Sequence, residues 1–194
     1  MRYSKEHKAQ AKAAIVREAG RTLKESGFHA VGVDALAASA QVTSGALYSN
    51  FANKESVLEE VVAEQLGIEF APLDGLEPAE RRSALAEVLR LYLSNQHRDD
   101  PGHGCVMPAL SADVARAGDP VRAVYQRRIT DVVAAFTPAM HGRTSEERQQ
   151  QAWTLLASIV GAITIARALP PGDQAQAILD AVLDTAMKSI TDEP

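Results

Sequence analysis

Cysteine occurs once, as Cys105, so no intrachain disulfide framework can form and a reducing, cytoplasmic setting is expected. Signatures of catalysis are missing too. There is no G-x-S-x-G elbow, no P-loop, no H-E-x-x-H pair and no dinucleotide fingerprint behind a strand. Paired carboxylates such as Glu59 and Glu60 are adjacent in sequence, which sends them to diverging helix faces. No enzyme is expected, and no cofactor. His97, His103 and Cys105 are three donors without a repeated ligand spacing, so no metal site is expected. The opening "MRYSKEHKAQ" has no apolar stretch of signal-peptide type. The longest apolar run, residues 152–169, approaches membrane-spanning length but is interrupted by Thr154, Ser158, Thr164 and Arg167. It reads as a buried or interfacial helix, with no membrane partner. No run alternates with period two, and there is no internal repeat or low-complexity segment.

What the chain has is helical periodicity over a composition that is 46% hydrophobic, ample for a packed core. Ala11, Ile15, Ala19 and Leu23 recur every four residues, and Gly27 ends that helix. A short helix, "VDALAASA", comes next. Leu58, Val62 and Leu66 continue a helix from Lys54 to near Pro72. Leu85, Val88, Leu89, Tyr92 and Leu93 follow the i, i+3, i+4, i+7, i+8 pattern of an amphipathic helix. "HRDDPGHG" reads as a loop, and a helix over about Cys105–Arg116 follows it. Asp119 and Pro120 suit the start of the next helix, lined by Val121, Val124, Tyr125, Ile129, Val132, Val133 and Phe136. "HGRTSEE" and "PPGD" flank the apolar run, and Leu179, Leu183, Ala186 and Ile190 mark a last helix. The fold class is all-α, with about nine helices.

Charge is unevenly spread. The chain carries a formal net charge of −5, yet residues 1–54 hold eight Lys/Arg (Arg2, Lys5, Lys8, Lys12, Arg17, Arg21, Lys24, Lys54) against four acids. That balance of +4 leaves −9 for residues 55–194. A basic front on an acidic body suits contact of the front alone with a polyanion.

The stretch "VTSGALYSNF", residues 42–51, is the most informative. At about 100° per residue, Leu47 and Phe51 fall on one side of a short helix, and Tyr48, Gly45, Ser49 and Ala46 fall on the other. Thr43 suits the N-cap. Val33, Leu36, Ala37 and Ala40 give the preceding short helix an inward face. Two short helices joined by about three residues, the second with a bare small-residue face, describe a helix-turn-helix whose second helix enters the DNA major groove.

"GFHAVGVDALAASAQVTSGALYSNFANKESVL", Gly27 to Leu58, resembles the DNA-binding domain of TetR/AcrR-family transcriptional repressors. The resemblance rests on Gly-Phe, a Val-x-x-Leu-Ala helix, Val-Thr, Gly-x-Leu-Tyr and Phe-x-x-Lys-Glu. It implies a cytoplasmic homodimer on a palindromic double-stranded operator, with residues 1–54 as the helix-turn-helix domain. It implies a helical bundle over residues 55–194 that dimerises and takes a small-molecule effector. By resemblance, Thr43, Tyr48 and Lys54 contact phosphates, and Ser44, Gly45, Ala46 and Ser49 meet base edges. Asn50 stands where His is common. Gln41 occupies a turn position where the family usually has Gly, and Val31-Gly32 replaces the usual Thr/Ser.

In the body, the apolar helix from Trp153 to Leu169, with Ser158, Gly161 and Ala162, and the last helix suit a four-helix dimer seam. Ile163 is expected to lie in that seam. Tyr92, Gln96, Cys105, Met107, Tyr125, Ile129 and Trp153, with His97 and Phe136, are candidate effector contacts for a mostly apolar ligand. Cys105 opens a predicted helix, where a thiol pKa is lowered, so a redox or electrophile sensor is an alternative to the pocket. A helical interaction module without DNA binding is a further alternative.

Overall fold

The computed structural model describes residues 5–191, with side chains for residues 9–190. The described chain contains ten α-helices: α1 (Lys5–Ser26), α2 (Val33–Ser39), α3 (Ser44–Tyr48), α4 (Lys54–Gln65), α5 (Pro78–Tyr92), α6 (Asn95–Asp99), α7 (Val106–Val114), α8 (Asp119–Phe136), α9 (Ser145–Ala168) and α10 (Asp173–Thr191). Single 3-10 segments lie at Ile68–Leu73 and Thr137–Ala139. No strand occurs among the described residues. The all-α expectation stands, and the tenth helix is α6, which takes in His97–Asp99 from the expected loop. Ser94 makes α6 possible, because its Oγ accepts the His97 amide at 3.2 Å and caps five residues that periodicity could not reveal. The helix expected to run to Pro72 stops at Gln65 instead. Gly67 turns left-handed (φ +84°), and a 3-10 segment carries the chain through Pro72.

The helices fall into two compact units. The first comprises the chain through Leu66 with Pro101–Gln126, and the second comprises Gly67–Asp100 with the residues from Arg127 onward. In the first unit, α1 packs on α2, α4 and α7, and α2 packs on α3. Its core is Ile15, Val16, Ala19 and Leu23 of α1, Leu36 and Ala37 of α2, Leu47, Phe51, and Val57, Leu58, Val61 and Val62 of α4. Gln65 Nε2 donates to the Val16 carbonyl (2.9 Å) across the bare backbone of Gly20, where a Cβ would lie 2.2 Å from that amide. A side chain at position 20 would displace the Gln65 amide from this bond.

In the second unit, α10 lies along α9 and also meets α5, and α6 rests on α9. An aromatic cluster marks the core. Phe70 meets Phe136 edge-on (4.8 Å between centroids) and stacks on Tyr92 (5.6 Å), and Tyr92 reaches His97 (4.5 Å). Arg167 closes the end of this unit by donating to the carbonyls of His97 (2.7 Å) and Arg98 (3.1 Å). Helix α9 is long and apolar enough to cross a membrane by length and composition alone. In the fold it buries Ala152, Leu155, Leu156, Ile159, Ala162, Ile163 and Ala166 within its own unit. The expectation for Ile163 is thus corrected. Its side chain is 0% exposed inside one chain, and the outward face carries Trp153, Thr154, Ala157, Ser158 and Ile165.

Candidate nucleic-acid interface

Helix α2 ends in a tight stop. The Gln41 amide donates to Ala38 O (3.0 Å) and the Val42 amide to Ala37 O (2.9 Å), the bond pair of a Schellman motif. Gln41 fills its left-handed position at φ +55° and is the only non-glycine residue with positive φ among those described. The turn that the resemblance assigns to glycine is therefore built here with glutamine.

Thr43 then starts α3, its Oγ1 accepting the Ala46 amide at 3.1 Å. The helix is only five residues long, so packing must hold it. Leu47 (0% exposed) and Phe51 supply that packing. The opposite face is open: Tyr48 is 53% exposed, and Gly45 and Ser49 are exposed beside half-buried Ala46. A Cβ on Gly45 would meet only Thr43 Oγ1, at an ordinary 3.9 Å, so the fold itself does not demand glycine there. Bareness at this position is a property of the outer surface.

Several polar groups of this face are already engaged. Ser44 Oγ donates to Asp34 Oδ1 at 2.5 Å, which leaves the hydroxyl oxygen as an acceptor toward any incoming group. Ser49 Oγ donates to Ala46 O (2.7 Å), and Asn50 Nδ2 donates to Ala46 O (2.9 Å) and to Ser49 Oγ (3.3 Å). Asp34 is the residue that sequence reading missed. It lies ten residues before Ser44 on a different helix, and only the angle between α2 and α3 joins them.

Lys54 opens α4 behind a capping box made by Asn53 and Ser56. Its ammonium donates to the Phe28 carbonyl and lies 4.2 Å from the centre of the Phe28 ring. Burial pushes its pKa below the ordinary lysine value, and the charge of Asp113 offsets part of that. The other cations of the basic front are likewise held within the chain. Lys12 pairs with Glu60, Arg17 with Glu18 (3.0 Å) and Arg21 with Glu25 (3.1 Å), and Lys24 donates to Gly104 O (2.9 Å). Arg2 and the side chains of Lys5 and Lys8 lie outside the described residues.

The candidate effector contacts fall in both units. In the first unit, Cys105 (0% exposed) and Met107 are buried, Cys105 standing at the N-cap of α7. Tyr125 O–H and Ser111 Oγ share a hydrogen bond of 2.7 Å, and Tyr125 borders a cleft of about 510 Å³ with Asp119 and Arg122. Burial, chiefly, raises the Tyr125 pKa; the Ser111 bond lowers it and the Cys105 thiol raises it further. In the second unit, Tyr92 is packed in the aromatic cluster, Ile129 is half-buried on α8, and Gln96 is exposed on α6. Trp153 is 41% exposed on the outer face of α9.

Residues 15–61 match the family described as bacterial regulatory proteins, tetR family. Among solved structures, the reduced form of NemR from E. coli is similar over 95% of this chain and 98% of its own (TM-score 0.75, 19% identity). A TetR transcriptional regulator from Legionella pneumophila is similar over 98% and 100% (TM-score 0.75, 14% identity). FadR from Bacillus subtilis, in complex with stearoyl-CoA, is similar over 92% and 98% (TM-score 0.66, 17% identity). At these identities the likeness speaks to fold. No curated protein sequence matches the chain.

Proposed function

We propose that the chain, whose residues 15–61 match the tetR family of bacterial regulatory proteins, is a DNA-binding transcriptional regulator of that kind, a repressor released from a palindromic operator by a small, mostly apolar ligand. The observation that carries the DNA half is the outer face of α3, where Gly45, Tyr48 and Ser49 stand exposed over a fully buried Leu47. A face this bare lets backbone and short side chains approach the floor of a major groove. Tyr48, Thr43 and Lys54 would hold phosphates, and Ser44, Gly45, Ala46 and Ser49 would meet base edges, with Asn50 beside them. With its proton given to Asp34, Ser44 would favour a base-edge donor such as the amino group of cytosine or adenine.

In this reading residues 1–54 bind DNA and residues 55–194 dimerise and take the effector. Dimerisation is supported by the outer face of α9 and by an adjoining groove of about 300 Å³ between α9 and α10, lined by Thr154, Ser158, Val182 and Thr185. An apolar effector is supported by the long alkyl chain of the stearoyl-CoA that the FadR structure holds. A gel shift with DNA from upstream of the chain's own coding region tests the reading, first alone and then with neutral hydrophobic compounds added. Absence of any shifted band ends it; a shift that no such compound reverses ends the effector half.

The position of Cys105 at the start of α7 favours a second reading, in which the thiol is the trigger. One similar fold, NemR, was solved in a form described as reduced. Full burial of Cys105 weighs against ready reaction.

A further inference from the structure

The second unit carries a cleft that neither DNA binding nor an apolar effector uses. It measures about 900 Å³ and is lined by Arg82 of α5, by His141 and Arg143 of the loop before α9, and by Glu147 and Arg148 of the first turns of α9. Elsewhere in this unit some cations pair with acids, Arg90 with Glu87 (2.6 Å), Arg98 with Asp99 (2.7 Å) and Arg128 with Asp131 (3.5 Å), while Arg127 and Lys188 do not pair with any among the described residues. Among the described residues, Arg82, Arg143 and Arg148 have no carboxylate within ion-pair distance. Glu147, the acid on the cleft, has hydrogen-bond partners of its own. Glu147 Oε2 accepts the backbone amides of Arg143 (2.7 Å) and Thr144 (3.3 Å) in the capping box of α9.

The cleft is built by a tightly laid loop. Gly142 lies against α9 at φ +147°, and a Cβ there would stand 3.0 Å from Arg148 Cγ and 3.2 Å from the Arg148 amide nitrogen. Arg148 Nη1 donates to Gly142 O at 2.9 Å, which fixes one guanidinium and leaves its remaining N–H groups for another acceptor. His141 Nε2 is buried without a hydrogen-bond partner. Pro138 and Met140 give the cleft an apolar wall.

We propose that this cleft binds a phosphorylated small molecule. Three guanidiniums with unspent donors suit a dianion with three acceptor oxygens better than a single carboxylate. The apolar wall takes the organic part of the ligand.

The test is isothermal titration of the free protein with inorganic pyrophosphate at fixed ionic strength, which is independent of any DNA binding. One pyrophosphate is expected per chain. Arg82→Gln and Arg143→Gln should each weaken it about tenfold, the worth of one charge-assisted contact. The double variant should show no binding. Neither side chain makes a hydrogen bond or ion pair among the described residues, so circular dichroism should be unchanged. Arg122→Gln, which removes an arginine paired with Asp119 in the other unit, should bind like the wild type. No heat with pyrophosphate, equal binding by the double variant, or equally tight binding of citrate would each overturn the assignment.

Discussion

Gln41 holds a left-handed backbone that a side chain makes costly. Gln41→Gly should therefore raise stability by about 0.5–1 kcal/mol, the relief of strain less the added freedom of the unfolded chain, read from urea denaturation. A lower midpoint would mean that the turn needs its side chain. At Gly45 the logic runs outward. For Gly45→Leu the added Cβ meets only Thr43 Oγ1, at an ordinary 3.9 Å, so fold should survive while DNA affinity disappears in a gel shift; retained affinity would remove α3 from the groove. Lys54 shows where sequence reading stops. Its position in the motif was legible, but its bond to the Phe28 carbonyl and its place over the Phe28 ring were not, because both depend on a fold that brings together residues 26 apart. Lys54→Ala should therefore cost about 1–2 kcal/mol of stability as well as weaken DNA binding. Tyr125 gives a pH test. Its pKa is raised in the fold, so above about pH 10 the unfolded chain has lost a proton that the folded chain keeps, and stability falls as pH rises. Tyr125→Phe should flatten that alkaline loss; an unchanged slope would show that the hydroxyl titrates normally.

Elements with their own local signals were read correctly. Thr43, Leu47 and Phe51 were enough to place a five-residue α3, and Asp119-Pro120 to place the start of α8. Helix α6 was missed because five residues hold too little periodicity to stand out from a turn-rich loop. The phase of α9 was missed for the opposite reason: it is apolar nearly all round, so no stripe says which side faces inward. Ile163 packs within its own chain, and Ile163→Glu should unfold the protomer at a cost on the order of 4 kcal/mol instead of parting a dimer cleanly. Gly161 is the better probe. A Cβ there meets nothing within 4 Å, and leucine gains about 1 kcal/mol of helix propensity over glycine. Gly161→Leu should leave the chain folded or more stable and yet weaken self-association, measured by sedimentation equilibrium. An intact dimer would show that the seam lies elsewhere.

At the scale of the molecule, the cations of the basic front whose side chains the structure describes have partners within the chain, so charge counting said less about DNA than the bare face of α3 did. What a regulator of this kind does with a ligand is a question of linkage. If two recognition helices must sit about 34–36 Å apart to read successive major grooves, any ligand that favours another spacing lowers operator affinity by its differential affinity for the two forms, however tightly it binds. A neutral hydrophobic compound and a modification at Cys105 are rival sources of that bias. Cys105 is buried at the N-cap position of α7, so an oxidant or electrophile can act only on a form that opens, and its effect should be slow. A non-covalent ligand should act at once and be reversed by dilution. Cys105→Ser separates them, since the hydroxyl is close to the thiol in size and suits an N-cap position but cannot be oxidised like a thiol. The variant is expected to leave operator DNA on addition of a hydrophobic compound over the same concentration range as the wild type, within about twofold, as followed by fluorescence anisotropy of labelled operator. If oxidants or electrophiles alone release the wild type, and the variant stays bound in their presence, the thiol is the sensor and the apolar-effector reading is wrong.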